Sequence, residues 1–112
     1  MERLTQRADF LAAASGSKVP ARPFVVQARA RPDQGPTRVG FTVSKRVGNA
    51  VERNRVRRRL RELVRLDGGP HMRHGYDYVL IGRRDALAMP FGQMKDEFAR
   101  ALHRLHAGRK AN

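Results

Sequence analysis

Six of the nine residues from Arg53 to Arg61 are arginine, in the run Arg53-Asn54-Arg55-Val56-Arg57-Arg58-Arg59-Leu60-Arg61. A guanidinium grips phosphate in a two-point geometry and stacks on flat bases, so this density is chemistry for a polyanion. Lys45 and Arg46 just before the run, and Arg65 just after it, lengthen the same positive tract. Like charges one helical turn apart, such as Arg53/Arg57 and Arg57/Arg61, each destabilise a helix by a few tenths of a kcal/mol, roughly. Only Glu52 and Glu62 offset them within the tract. A solvated surface helix normally intersperses its basic residues with acids; a bound nucleic acid would remove the repulsion instead. Contacts to phosphates through several of these residues predict an affinity that falls steeply with salt. RNA fits better than sequence-specific DNA, because an arginine-dense helix lacks base-reading variety and suits backbone and shape recognition.

Other chemistry is poorly served. The ten acids are scattered, with no pair placed for acid–base work. Ser44 lacks the context of a nucleophile elbow. Cysteine is absent, which excludes disulfides and thiolate metal sites. His71/His74 and His103/His106 form two close pairs, but neither has a third ligand, and surface histidines are expected rather than a metal centre. No catalytic residue and no metal ligand is therefore expected on this chain. Phe10 has two readings: a core anchor, or a ring exposed for a base to stack on.

The arginines need a scaffold, and the sequence supplies one. Val56, Leu60, Leu63 and Val64 recur at the spacing of one helical face. At about 100° per residue, Asn54, Arg57, Arg58, Arg61 and Arg65 fall on one flank of that stripe. Arg55, Arg59 and Glu62 fall on the other, and Arg53 lies at its border. Asn49 is a good N-cap with Glu52 three residues on, a capping-box spacing, and Gly48 allows the tight lead-in. Asp67-Gly68-Gly69-Pro70 is expected to stop the helix. Val51 is off the stripe and is expected to pack locally.

Around this helix, Thr5 is expected to cap a short helix over residues 6–14, ended by Ser15-Gly16-Ser17. Residues 23–31 and 37–44 alternate apolar and polar about the turn Asp33-Gln34-Gly35-Pro36, which predicts an antiparallel hairpin. Tyr76-Asp77-Tyr78-Val79-Leu80-Ile81-Gly82 reads as a strand buried on both sides, able to pair in parallel with a hairpin strand. Arg83 and Arg84 follow its end. Pro90 and Phe91 open a last helix over about 91–106 with Met94, Phe98, Ala101, Leu102 and Leu105 as its stripe.

At 112 residues, the chain is expected to form a single RNA-binding domain over 1–112, with a disordered basic tail from about 108. The net charge of +14 and pI near 11.7 point to nucleic acid. A membrane partner is not expected: tryptophan is absent and small aliphatics back the basic helix. The start, with Arg3, Arg7 and then Phe10-Leu11-Ala12-Ala13-Ala14, loosely mimics a signal peptide, but the apolar segment is too short and Asp9 directly precedes it, so a cytoplasmic protein is expected.

The string from Arg38 to Arg55, with Ser44-Lys45-Arg46-Val47-Gly48-Asn49-Ala50-Val51 ahead of Arg53-Asn54-Arg55, closely resembles the bacterial ribonuclease P protein subunit. Arg3-Leu4 and Asp9-Phe10 resemble that family's opening, and Tyr76-Asp77-Tyr78-Val79 its last strand. The resemblance implies an α+β fold: a two-layer helix-on-sheet domain in the order αβββαβα, with a mixed sheet and a crossover helix. The fourth strand would be the weak one near Lys18-Val19. It implies a subunit of an endoribonuclease that removes the 5′ leader of precursor tRNA, the catalytic centre being RNA with Mg2+ held mainly by the RNA partners. The partners would be the catalytic RNA and precursor tRNA, with no small-molecule substrate. Carried over residue by residue, Lys45, Arg46, Arg53, Asn54, Arg55, Arg57, Arg58, Arg61 and Arg65 become RNA contacts, and Phe10, Arg83 and Arg84 leader contacts. Ala14 and Gln27 stand where the family often carries aromatics, which implies weaker leader stacking and more reliance on charge. The alternatives are a non-catalytic ribosomal or RNA-chaperone module, and a metal-dependent nuclease acting alone, which the missing carboxylate cluster disfavours.

Overall fold

The computed structural model describes residues 1–110, with side chains described through residue 107. Its elements are β1 (Glu2–Arg3), α1 (Arg7–Ala14), β2 (Ser17–Pro20), β3 (Phe24–Ala30), β4 (Arg38–Thr42), α2 (Ala50–His71), β5 (Tyr76–Gly82) and α3 (Phe91–Lys110). Single 3-10 turns at Lys45–Val47 and Arg84–Leu87 precede α2 and follow β5. Apart from the two-residue β1, the order is the expected αβββαβα.

The strands form one mixed sheet in the order β1-β4-β5-β3-β2. The expected hairpin of residues 23–31 with 37–44 does not form, because β5 lies between its two halves. β5 runs parallel to β4, from Arg38↔Asp77 to Thr42↔Ile81, and antiparallel to β3, from Phe24↔Gly82 to Ala30↔Tyr76. The reason lies in its composition: Tyr78, Val79 and Leu80 are all buried, and a strand apolar on both faces needs the middle of a sheet. The weak strand near Lys18-Val19 is β2, on the edge beside β3, where Pro20 leaves no inner ladder bond unmade.

Successive side chains of β5 point to opposite faces. On one face Tyr78 and Leu80 join Phe24, Val26 and Val39 beneath Val56, Leu60, Leu63 and Val64 of α2 and Met94, Phe98 and Leu102 of α3. On the other, Val79 and Ile81 pack with Leu4, Phe10 and Ala13, so α1 adds a small third layer to the expected two. Glycine at 82 lets α2 approach: a Cβ there would lie 2.7 Å from Val56 Cγ1.

The start of α2 is as the sequence reads. Asn49 Oδ1 accepts the Glu52 N–H at 2.9 Å, and Glu52 Oε1 accepts the Asn49 N–H at 2.9 Å. Its end is not: α2 runs through Gly68, Gly69 and Pro70 to His71. Buried Gly68 sits against Val64 and Met72, and a proline this close to the helix end removes few bonds. Packing overrides local stop signals here. Val51 does not pack locally; it is 75% exposed. Gln6, not Thr5, bounds α1, and no side chain caps it. The backbone of α3 continues to Lys110. Of the tail expected from about 108, the side chains of 108–110 and all of Ala111 and Asn112 lie outside the described residues.

At the far end of the sheet, Asp77 is fully buried between strand neighbours. Arg31 Nη1 donates to Asp77 Oδ1 at 2.7 Å, and Arg38 donates to both oxygens at 2.8 and 2.7 Å. Burial alone would raise this carboxyl, but the hydrogen bonds from Arg38 and Arg31 outweigh it and hold the group below the ordinary range. Arg31 also binds Asp33 and the Pro36 carbonyl, which ties down the β3–β4 connection as it passes β5.

Candidate nucleic-acid interface

The core stripe of α2 turns the rest of its circumference outward. Asn54, Arg58, Arg61 and Arg65 are exposed, and Arg57 is half-buried. With Val51, the residues Asn54, Arg57, Arg58 and Arg61 border an open concavity of about 400 Å3. Arg58 and Arg61 make no ion pair or hydrogen bond among the described residues. Burial, then the charges of Arg3 and Arg57, lowers the Arg61 guanidinium below its ordinary value. Arg3 on β1 therefore belongs to this positive surface. The sequence places it fifty-eight residues from Arg61, and only the pairing of β1 with β4 brings it there.

Within Arg53-Asn54-Arg55 each side chain also has a partner in the fold. Arg53 Nη1 donates to the Gly48 carbonyl at 2.8 Å, bracing the lead-in loop. Asn54 Oδ1 accepts from Arg57 Nη1 at 3.0 Å and so aims that guanidinium. Arg55 Nε donates to the Leu87 carbonyl at 3.1 Å. Arg59 is a fastener: it donates to the carbonyls of Ala86 at 2.8 Å, Leu87 at 3.2 Å and Met89 at 2.6 Å. Lys45 and Arg46 are exposed on the 3-10 turn that leads into the helix. Arg65 pairs with Glu62 at 2.5 and 3.0 Å.

The three residues carried over as leader contacts separate. Phe10 is half-buried over Gly40, so close that a Cβ on Gly40 would meet its ring at 2.5 Å. It thus packs on the small cluster of Leu4, Ala13 and Val79 and stays partly exposed. The strand registers put Gln27, Val79 and Gly40 in one row and Val25, Ile81 and Thr42 in the next. Val25 and Ile81 are half-buried and Thr42 exposed, leaving an open strip of sheet beyond α1. Strand alternation sends Arg83 to the face of Ile81, where Nη1 donates to the Ala21 carbonyl at 2.7 Å. Arg84 goes the other way: it donates to the Val47 carbonyl at 2.6 Å and reaches Glu52 at 3.5 Å, securing the helix lead-in. Gln27 is 9% exposed beneath α1, and Ala14 is exposed without a ring to offer.

The histidines do not all lie at the surface. His106 is 4% exposed, with Nε2 at 2.7 Å from the Tyr78 hydroxyl and its ring edge-on to Tyr76. Position 106 falls on the apolar side of α3, and a buried tyrosine hydroxyl requires a polar partner. Burial pushes the Tyr78 hydroxyl up to about 12, opposed by the Arg73 N–H bonded to it. His103 is exposed and, with His71 and His106, borders one concavity between the end of α2 and α3. Among the described residues no group of three His, Asp or Glu side chains gathers to hold a metal ion, and no helix is long and apolar enough to cross a membrane.

The family model described as Ribonuclease P matches residues 1–106. The ribonuclease P protein component of Ruegeria pomeroyi is 52% identical over 108 residues, covering 93% of this chain and 86% of that protein. That of Gluconacetobacter diazotrophicus is 48% identical over 103 residues, covering 91% and 89%. Among solved structures, the Staphylococcus aureus RNase P protein superposes with a TM-score of 0.76 at 31% identity, covering 92% of this chain and 94% of that one. The Thermotoga maritima RNase P protein gives 0.77 at 29% identity, covering 93% and 97%.

Proposed function

The chain belongs to the ribonuclease P protein family, and from that premise we propose that it binds the catalytic RNA of ribonuclease P and the 5′ leader of precursor tRNA, assisting leader removal in the cytoplasm. The observation that carries this reading is the arginine flank of α2, joined by Arg3, on which Arg58 and Arg61 are exposed and unpaired among the described residues. A folded RNA supplies the phosphates that such a flank lacks.

The leader reading rests on a different surface. The strip of Val25, Ile81 and Thr42, with Phe10 at one side and Arg83 at its end, is an accessible sheet face with one aromatic and nearby positive charge. This is the makeup of a single-strand site, where a base stacks and a backbone follows charge. Arg84 then acts indirectly, by holding the loop of Lys45 and Arg46 in place.

The cleavage chemistry belongs to the RNA in this reading. Mg2+ is held mainly by the RNA partners in this reading. This chain contributes cations where two polyanions meet and so lowers their repulsion. The test is reconstitution with the cognate RNA at low Mg2+. Adding the protein restores cleavage of precursor tRNA; no restoration would remove the assignment in favour of a non-catalytic RNA-binding module.

A further inference from the structure

Residues from both flanks of α2 meet α3 at a second candidate site, whose assignment rests on the reading above. Arg55, Arg58, Arg59, Arg61, Glu62 and Arg65 line, with Phe91 at the start of α3, an open groove of about 540 Å3. That volume lies within the roughly 300–1,000 Å3 typical of ligand sites. Arg59 and Arg55 hold the carbonyls of residues 86, 87 and 89. They thereby fix the turn that delivers Phe91, whose ring is half-buried against the core and half open to the groove. Arg58 is exposed on the rim and makes no hydrogen bond among the described residues. Glu62, held by Arg65, puts one carboxylate into an otherwise positive groove.

Phosphate alone explains neither the aromatic wall nor the carboxylate. A nucleotide explains all three features: a base face fits the Phe91 ring, a base amino group donates to a carboxylate, and a phosphate takes the guanidinium. Duplex RNA hides its base faces, so the nucleotide must be unpaired. We infer that the groove between α2 and α3 seats one unpaired nucleotide of the catalytic RNA, its base on Phe91 and its phosphate on Arg58. Position selects the source. The groove lies on the α2–α3 side of the sheet, away from Phe10. Arg58 and Arg61 also border the Asn54–Arg57 concavity, so one RNA seated on the first flank continues into the second.

The test uses the full-length protein and equilibrium binding to the catalytic RNA alone, with no precursor tRNA present. Phe91→Leu keeps apolar bulk against the core but loses the ring; it weakens binding about tenfold with an unchanged salt slope. Phe91→Tyr retains binding, and Arg58→Ala lowers the salt slope by about one. Chemical probing with the wild-type protein gives a second readout that needs no variant to fold: one unpaired base loses reactivity on binding. Unaltered affinity of Phe91→Leu for the catalytic RNA, or no unpaired base losing reactivity on binding of the wild type, overturns the inference and leaves the proposed function standing. A wild-type protein that fails to bind the catalytic RNA removes the proposed function itself.

Discussion

Asp77 stands in the most apolar strand of the chain, opposite Arg29 on one neighbour and Arg38 on the other. A lone acid in such a strand gives no hint of its partners, because register is a property of the sheet. Once β5 is central, its charge is matched and the β3–β4 connection is held with it. Asp77→Asn removes the buried counter-charge that Arg31 and Arg38 share, leaving them only Asp33 and Asp9, and is expected to destabilise the fold by about 3 kcal/mol. A carboxyl held below its unfolded value stabilises the fold above the ordinary carboxylate range and loses that contribution as pH falls through the folded value. Urea unfolding across a pH series should therefore show the wild type weakening below roughly pH 4, and Asp77→Asn with a flatter acid limb. His106 was illegible for the same reason: its partner Tyr78 lies twenty-eight residues away. Phe10 was legible as two alternatives; its ring packs over Gly40 as the core-anchor reading expects, and it is half-exposed. In the reconstituted holoenzyme, Phe10→Ala is expected to weaken leader-bearing precursor tRNA about tenfold while leaving catalytic-RNA affinity unchanged.

As an element, α2 was the most readable part of the chain. Its stripe, its cap and its charged arc follow from side chains within four residues of one another, and sequence spacing reports such neighbours directly. Its C-terminus was misread because Gly68 is retained by packing against Val64 and Met72, which local signals do not contain. Two measurements separate what the helix does from how it stands. Asn49→Ala breaks one side of the cap and is expected to cost about 1 kcal/mol in thermal unfolding, with the salt dependence of RNA binding unchanged. Neutralising Arg57, Arg58 and Arg61 together is expected to do the reverse: the slope of log affinity against log salt becomes shallower by about two to three units, with little change in stability. Arg59→Ala belongs with the cap, since its bonds go to backbone carbonyls of the 84–89 segment; a loss of about 1–3 kcal/mol in urea unfolding is expected.

At the scale of the molecule, element types and their order were legible along the chain, but the neighbours in the sheet were not. Alternation in residues 23–31 and 37–44 identifies two strands, yet it is silent on what each pairs with, and proximity along the chain favoured the wrong answer. The strand that divides them is synthesised after α2, on the far side of the arginine run. The first seventy-five residues thus carry a sheet with its midline missing. On a ribosome, the most cationic segment emerges before the platform that orients it can close, in a compartment crowded with RNA. Completion of the fold must wait for one late strand, so a chain ending at residue 75 should show no cooperative melting, and premature termination there would release a positively charged coil rather than half a protein.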